Sequence, residues 1–289
     1  MPSTWRLTDR TLELTRPLAA GIVNVTTDSM FEGARSGTAE QAIEDGIALA
    51  EAGFHMLDVG AVAARSGPAV QSEVEAGRLV PAIEGLVERT EVPISADTFS
   101  TEVASRALDA GAVAINDISG AADPELFDLC AERGCGLVLM HIEGPPRQDR
   151  EPRRYDDPVE HLKAWFSGRI EAATGCGVAT EQIAIDPGLD FDVGVADGLE
   201  LLRRLGELRS LGCALYVSLS RKDLLGAVLA GSWDGRLPAA DREWATAAAT
   251  ALAVHNGADV LRLHDASALQ ALAVASAIRD GDQAEVAGG

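Results

Sequence analysis

The sequence has few positive charges, and it has no apolar run long enough to cross a membrane. Of its 289 residues, 24 are lysine or arginine and 45 are aspartate or glutamate, which gives a net charge of −21. A field of that sign repels nucleic acid and anionic membrane surfaces. A transmembrane helix needs about 20 consecutive apolar residues, and the N-terminus lacks the apolar segment of a signal peptide. We therefore expect no nucleic-acid or membrane partner and a cytoplasmic location.

Cysteine is also scarce, and its spacing indicates neither a zinc site nor a disulfide framework. The four cysteines are Cys130, Cys135, Cys176 and Cys213. They are scattered over helix and loop patterns without the pairing that is typical of metal ligands. We interpret them as small, buried apolar side chains.

Lysine is the rarer of the two basic residues, since only Lys163 and Lys222 are lysine. Lys222 follows the seventh of eight predicted strands, where the composition of this chain favours arginine. A compact ammonium group can sit beside a planar heterocycle and donate to a carbonyl and a ring nitrogen, where the guanidinium fork is too wide. We interpret Lys222 as a binding residue, with a solvated loop lysine as the alternative.

An eightfold alternation of apolar runs and helical patterns organises the chain. The runs cover residues 21–25, 55–59, 93–96, 112–115, 136–140, 182–185, 214–219 and 258–263. Between them, apolar residues recur at helical spacing. The alternation predicts an α/β fold, a (β/α)8 TIM barrel, in one domain over residues 1–289. We expect residues 1–17 to form an N-terminal hairpin and residues 281–289 to fray.

Polar residues at the ends of the predicted strands form the candidate site, because the βα loops of such a barrel converge at one face. One group follows strands three, four, six and seven: Asp97, Asn116, Asp186 and Lys222. Two carboxylates, an amide and a cation suit a flat heterocycle that is rich in hydrogen-bond donors.

A second group follows strands one and eight, which flank the usual phosphate position of these barrels. Asn24, Arg262 and His264 at this position suit a diphosphate with Mg²⁺. His141 ends the fifth strand, where packing and a ligand role are both open. We interpret His161, like the remaining histidines, as structural.

Eight short segments, in this order, resemble the dihydropteroate synthase family. They are GIVNVTTDS (21–29), DVG (58–60), ISADT (94–98), INDISG (115–120), LMHIEGPP (139–146), DPGLDF (186–191), SRKDLLG (220–226) and RLHD (262–265). The resemblance covers roughly residues 15–280. It implies a TIM-barrel enzyme, usually dimeric, that joins 6-hydroxymethyl-7,8-dihydropterin diphosphate to p-aminobenzoate and releases diphosphate.

The resemblance also implies a role for each matching residue. The residues that would hold the pterin are Asp97, Asn116, Asp186 and Lys222. Asn24 would reach Mg²⁺, and Arg262 and His264 would hold the diphosphate. We expect the catalytic groups to be Asp97, Asp186, Lys222 and Arg262, since a departing diphosphate leaves a cation that buried carboxylates stabilise.

Two loops depart from the pattern of that family. The first usually reads N-x-T-P-D-S-F, and Thr27 and Met30 replace its proline and phenylalanine. The second usually reads G-E-S-T-R-P-G, and Ala63, Ala64 and Ser66 replace its serine, threonine and proline. The residues expected to face p-aminobenzoate are Thr27, Met30, Ala64, Arg65, Ser66 and Ser220.

These departures predict an altered aminobenzoate pocket that tolerates sulfonamides. Three other interpretations stay open at this point: a transferase that uses another amine, a pterin-binding paralog without turnover, and a pterin-dependent methyltransferase. The last is disfavoured because a methyl donor has no diphosphate for Arg262 and His264 to hold.

Overall fold

A closed barrel of eight parallel strands forms the centre of the computed structural model, which describes residues 4–25, 37–64, 67, 69–148 and 153–281. Ahead of it, β1 (Thr4–Arg6) and β2 (Thr11–Glu13) pair as an antiparallel hairpin. The barrel strands are β3 (Leu18–Asn24), β4 (Met56–Gly60), β5 (Ile94–Asp97), β6 (Ala114–Asp117), β7 (Gly136–Met140), β8 (Ile183–Asp186), β9 (Ala214–Ser218) and β10 (Val260–Leu263). Strand β10 pairs with β3 and closes the barrel. The predicted (β/α)8 fold and the N-terminal hairpin are confirmed.

Helices alternate with the barrel strands. Those of the described residues are α1 (Ala39–Glu51), α2 (Ser72–Val87), α3 (Thr101–Asp109), α4 (Glu125–Arg133), α5 (Pro158–Gly175), α6 (Val195–Arg203), α7 (Asp223–Ala230), α8 (Glu243–His255) and α9 (Ser267–Asp280). Thr38, Ser100 and Asp157 cap α1, α3 and α5 by accepting hydrogen bonds from backbone amides of the first turn. Such caps satisfy donors that have no partner inside the helix, so they fix where each βα loop ends.

Burial explains why the strand sequences are continuously apolar. Every residue of β7 and β9 is buried, because the barrel interior covers one face of each strand and the helix layer covers the other. Polar residues inside a strand therefore need a structural or functional partner.

The hairpin closes the amino-terminal end of the barrel. Trp5 is fully buried, its Nε1 donates to the carbonyl oxygen of Gln182 at 2.8 Å, and its ring meets Tyr216 edge-on at 6.2 Å. Leu7 packs in the same apolar cluster. Because this end is filled by side chains, the carboxyl ends of the strands are left to form the site.

The four cysteines are free thiols, and the interpretation that all are buried is wrong for one of them. Cys130, Cys135 and Cys213 are buried, whereas Cys176 is exposed just after α5. Among the described residues, none of the helices combines the length and apolar character needed to cross a membrane. Of the tail predicted to fray (281–289), Gly281 caps α9, and residues 282–289 lie outside the described residues.

Candidate active site

One pocket at the carboxyl ends of the strands brings together all the predicted site residues that the structure describes. They are Asn24, Ala64, Asp97, Asn116, Asp186, Ser220, Lys222, Arg262 and His264. The other four, which are Thr27, Met30, Arg65 and Ser66, lie outside the described residues. The predicted convergence of distant strand ends is therefore observed for every residue at which it can be checked.

Arg262 lies across the mouth of the barrel and binds two carboxylates. Its Nε donates to Asp58 Oδ2 at 2.5 Å, and its Nη2 donates to Asp97 Oδ2 at 2.7 Å. Asp58 is fully buried and also accepts from Asn116 Nδ2 at 2.9 Å and from the hydroxyl of Ser95. Asp58 thus fixes two predicted site residues at once.

Asp58 was not among the site residues predicted from the sequence. A signal was available, because Asp58 is a charged residue inside an otherwise apolar strand, and a buried charge requires partners. The partners themselves are 58 and 204 residues away along the chain. No spacing in the sequence indicates that pairing.

The pKa values of the two carboxyl groups assigned to the pterin are raised toward neutral pH. Burial raises the pKa of Asp97 to about 7, although Arg262 opposes the shift. Burial raises the pKa of Asp186 to about 6, and Lys222 opposes it. Groups whose pKa is perturbed by burial and by a specific charged partner are typical of active sites.

Lys222 does not lie at a strand end, as the sequence suggested, but at the N-cap position of α7. Its Nζ lies 4.8 Å from the centre of the Phe191 ring, within the range of a cation–π contact. Asp190 caps the same helix: its carboxylate accepts from the amides of Asp223 and, at 3.0 Å, Leu224. The DPGLDF segment therefore positions the start of α7 and with it Lys222.

Gly188 makes the turn after β8 possible. Its φ is +68°, a left-handed conformation, and a Cβ atom there would lie 2.0 Å from the carbonyl oxygen of His141. Its amide donates to Asp186 Oδ1 at 2.8 Å. The Asp-Pro-Gly signal thus orients a pocket carboxylate as well as the turn.

His264 contributes a neutral imidazole rather than a positive charge. Burial, reinforced by Arg262 and Arg221, lowers the pKa of His264 to about 3. Its Nδ1 lies 2.9 Å from the hydroxyl oxygen of Ser220. The local positive charge of the site therefore comes from Arg262 and the neighbouring cations, and His264 offers hydrogen bonds.

The turn that contains Ser220 and Lys222 is anchored from α8 and from the loop after β10. Arg221, the residue between them, has a positive φ of 57°. Its amide donates to the hydroxyl of Thr246 at 3.0 Å, and its Nη2 binds Asp265 Oδ2 at 2.7 Å. Arg221 also lines the pocket, although it was not among the predicted site residues.

Known proteins share this sequence and fold. The family described as "Pterin binding enzyme" matches residues 20–264. The dihydropteroate synthase of Synechocystis is 36% identical over 256 residues, which cover 88% of this chain and 87% of the relative. The Escherichia coli enzyme is 32% identical over 255 residues, with 88% of each chain covered.

Solved structures agree with these matches. Yersinia pestis dihydropteroate synthase, in a sulfonamide drug complex, superimposes with a TM-score of 0.89 at 31% identity and covers 96% of this chain and 100% of that one. The Xanthomonas albilineans enzyme in complex with 7,8-dihydropteroate gives a TM-score of 0.80 at 36% identity, with coverage of 96% and 99%.

The chain therefore belongs to the family of pterin-binding enzymes. Within that family it is a dihydropteroate synthase, a transferase that condenses 6-hydroxymethyl-7,8-dihydropterin diphosphate with p-aminobenzoate to give 7,8-dihydropteroate and diphosphate. A silent paralog, a transferase for another amine and a pterin-dependent methyltransferase are not favoured.

Proposed function

We propose that the pterin ring binds among four side chains, those of Asp97, Asn116, Asp186 and Lys222. The supporting observation is that all four line one pocket. Carboxylates accept from the amino-pyrimidine edge, the amide offers a donor and an acceptor, and the ammonium donates to the carbonyl. The side chains come from four separate βα junctions, so a flat ring can meet them along its edge.

These residues also suit the bond changes of the reaction. The carbon–oxygen bond to diphosphate breaks, the arylamine nitrogen bonds to the same carbon, and the amine gives up a proton. Positive charge develops on the pterin side as diphosphate departs. The carboxylates of Asp97, whose side chain is 14% exposed, and of buried Asp186 stabilise that charge, because fixed charges in a water-poor site cost no reorganisation.

We propose that the diphosphate lies beside Asn24, Arg262 and His264. Two donor atoms of Arg262 are used by Asp58 and Asp97, so we assign its Nη1 to the diphosphate. Through Asp97, Arg262 also touches the pterin group of residues. The pterin-binding and diphosphate-binding groups are therefore less separate than the sequence suggested.

Mg²⁺ fits the donor set at Asn24. This ion retains several waters and is usually held by one or two protein oxygens together with substrate phosphates. Asn24 ends β3 and lines the pocket, and its amide oxygen would supply one such ligand. When bound, the ion would neutralise negative charge on the leaving group.

Diphosphate release from the pterin diphosphate and p-aminobenzoate tests these roles. We expect release by the wild type with Mg²⁺, none with excess chelator, and a strong reduction in Asn24→Ala. Calorimetry with free pterin, which lacks the diphosphate, should give the same affinity for Asn24→Ala and wild type. Full release in chelator, or an equal loss of free-pterin binding, would contradict the assignment.

We also propose that the aminobenzoate pocket is altered. The residues assigned to it are Thr27, Met30, Ala64, Arg65, Ser66 and Ser220. Ala64 and Ser220 line the observed pocket. Ala63 and Ala64 lack the hydroxyls that the family carries at these positions, so two hydrogen-bond partners are missing near the second loop.

The altered pocket should weaken the binding of p-aminobenzoate. It should weaken the binding of sulfonamides more strongly, because their additional bulk contacts the altered edge of the pocket. The double substitution Ala63→Ser, Ala64→Thr restores the usual residues. We expect it to lower both the Michaelis constant for p-aminobenzoate and the inhibition constant for sulfonamides. Wild-type sensitivity equal to that of the double variant would contradict the proposal.

A homodimer is proposed from the outer surface of α8 and α9. These helices pack against each other and expose large apolar side chains: Trp244 (85%), Leu252 (59%), Val274 (60%) and Ile278 (75%). Exposed apolar side chains on two neighbouring helices are typical of protein–protein contacts. A twofold axis would let this face cover itself.

We propose a cytoplasmic location for the enzyme. All four cysteines are free thiols, as is typical of a reducing compartment. Cell fractionation followed by immunoblotting tests the location, and recovery in the membrane or secreted fraction would contradict it.

A further inference from the structure

Three side chains outside the pterin pocket bring metal-ligand atoms together. His141 directly follows β7, Glu143 lies two residues further on, and His161 lies in the first turn of α5. Ligand atoms of all three lie within 4.8 Å of one another, and none of the three lines the pocket. Among the described residues, no other group of three His, Cys, Asp or Glu side chains meets so closely.

His141 is fully buried, yet neither of its ring nitrogens has a hydrogen-bond partner. Its Nε2 lies 4.0 Å from Glu143 Oε1, too far for a hydrogen bond. The ring packs edge-on against Trp165, with the centroids 5.0 Å apart. Burying two unsatisfied nitrogens costs free energy, so this environment requires a partner.

His161 lies at ion-pair distance from the same carboxylate oxygen. Its Nε2 lies 2.7 Å from Glu143 Oε1, although the ring N–H is not aligned with that oxygen. The ring of Tyr155 stacks on His161 at 4.2 Å and holds its orientation. Both histidine rings are thus fixed by aromatic packing while their nitrogens lie near one oxygen of Glu143.

We propose that His141, Glu143 and His161 bind a divalent transition-metal ion of the Zn²⁺ class. Two imidazoles and one carboxylate form a three-ligand set that Zn²⁺ accepts, with water in a fourth position. Zinc–ligand bonds of about 2.0–2.2 Å place tetrahedral ligand atoms about 3.4 Å apart. The His161–Glu143 and His141–Glu143 separations of 2.7 and 4.0 Å lie on either side of that value, and all three ligand atoms lie within 4.8 Å of one another. Side-chain adjustments that bring the ligand atoms together would close the site.

The surrounding charges favour a cation. Arg153 binds Glu143 through Oε2, while Oε1 lies near both histidines and accepts a hydrogen bond from the Tyr155 hydroxyl at 3.4 Å. The buried carboxylate of Asp192 accepts from the amide of Glu143 at 2.8 Å. Two carboxylates against one guanidinium leave a net negative charge, and the hydrogen bond fixes the loop that bears the ligand.

The ion would tie the end of β7 to the first turn of α5. Met140, which precedes His141, lines the pterin pocket. The amide of His141 donates to the carbonyl oxygen of Asp186 at 2.8 Å. Metal binding would therefore brace the backbone beside a pterin-binding carboxylate without touching the substrate.

Binding of Co²⁺ and Zn²⁺ to the full chain tests the site. Protein stripped with chelator is titrated with Co²⁺ and followed by its visible ligand-field bands, then with Zn²⁺ by calorimetry in the absence of substrate. We expect one ion per chain, and a loss of affinity of roughly a hundredfold in His161→Gln, since even outer-shell changes cost about 10–100-fold. His255→Gln, at an exposed position on α8, is the matched control and should bind like the wild type.

Glu143→Gln is a second variant that keeps the shape of the side chain and should also lose affinity. Circular dichroism and melting temperature show whether the variants fold, and Zn²⁺ should raise the melting temperature of wild type and His255→Gln only. The proposal is overturned if stripped wild-type protein binds no ion at this site, or if His161→Gln and Glu143→Gln bind like the wild type. Neither readout depends on turnover, so failure here leaves the pterin assignments intact.

Discussion

Lys222 is the residue whose functional role is most clearly indicated by composition, since the chain has only two lysines. The other lysine, Lys163, is a control for its substitution. Lys222 lines the pocket, whereas Lys163 lies on α5 and pairs with Glu160 at 2.7 Å. Lys222→Ala should weaken pterin binding by roughly 10–100-fold, because a charge-assisted hydrogen bond contributes about 1.5–3 kcal/mol. Lys163→Ala should bind like the wild type. Calorimetry decides, and equal affinities for both variants would remove Lys222 from the pterin site.

Asp186 should leave a signature in the pH dependence of stability. Its pKa is raised from 3.8 to about 6, so between these values the folded chain keeps a proton that the unfolded chain has released. The contribution of this group to stability therefore falls as pH rises through that window. Asp186→Asn removes the fall, so its unfolding free energy relative to the wild type should rise by roughly 3 kcal/mol across the window.

Urea unfolding at several pH values measures this difference. Comparing variant with wild type is essential, because His264, whose pKa is lowered to about 3, contributes in the opposite direction over an overlapping range. Asp234→Asn, at an exposed position, is the control and should change the pH dependence little. A variant curve parallel to that of the wild type would show that the Asp186 carboxyl is not shifted.

At the scale of the elements, Asp58 joins four strands. From β4 it accepts hydrogen bonds from Ser95 on β5, Asn116 on β6 and Arg262 on β10. Asp58→Asn removes one of the two carboxylates that Arg262 binds and should lower the unfolding free energy by roughly 2–3 kcal/mol. Ser95→Ala removes one neutral donor from the same carboxylate and should cost about 1–2 kcal/mol. Denaturant titration measures the loss of unfolding free energy in both variants. A larger loss in Ser95→Ala than in Asp58→Asn would refute the network.

The turn after β8 can be tested with two glycines of similar conformation. Gly188 and Gly134 have φ values of +68° and +65°, but a Cβ at Gly134 meets nothing within 4 Å. Gly134→Ala should cost about 1–2 kcal/mol through left-handed strain alone. Gly188→Ala should cost at least about 2 kcal/mol more, because its Cβ collides with the backbone at His141. Equal losses of unfolding free energy in the two variants, measured by urea unfolding, would mean that the turn adjusts to the added Cβ without destabilising the fold.

At the scale of the whole molecule, the exposed apolar surface of α8 and α9 predicts self-association. Light scattering coupled to gel filtration should give a dimer for the wild type. Ile278→Asp places a charge in that surface and should shift the chain toward monomer, because burying an unpaired carboxylate is costly. Val74→Asp, at an exposed apolar position on α2, should remain dimeric. A monomeric wild type would refute the dimer, and a dimeric Ile278→Asp would place the interface elsewhere.

The sequence by itself determined the barrel, its order of elements and most of the pocket. Alternating apolar runs and helical patterns are local signals, and the topology of a parallel barrel then brings the strand ends together. For that reason Asp97, Asn116, Asp186 and Arg262 could be assigned to one site although they are far apart along the chain. The binding role of each site residue, the placement of four aminobenzoate-facing residues, Thr27 among them, and the division into a single domain stay predictions.

Only the tertiary structure decided how those side chains pair and what charge they hold. The pairing of Arg262 with Asp58 and Asp97 joins residues 204 and 165 positions apart, and it depends on barrel closure and strand register rather than on any periodicity. The neutral state of His264 follows from its burial beside Arg262. His141 and His161 meet at Glu143 because Trp165 and Phe166 of α5 pack against the His141 ring. Pairing and protonation depend on distance and burial in three dimensions, and a sequence pattern determines neither.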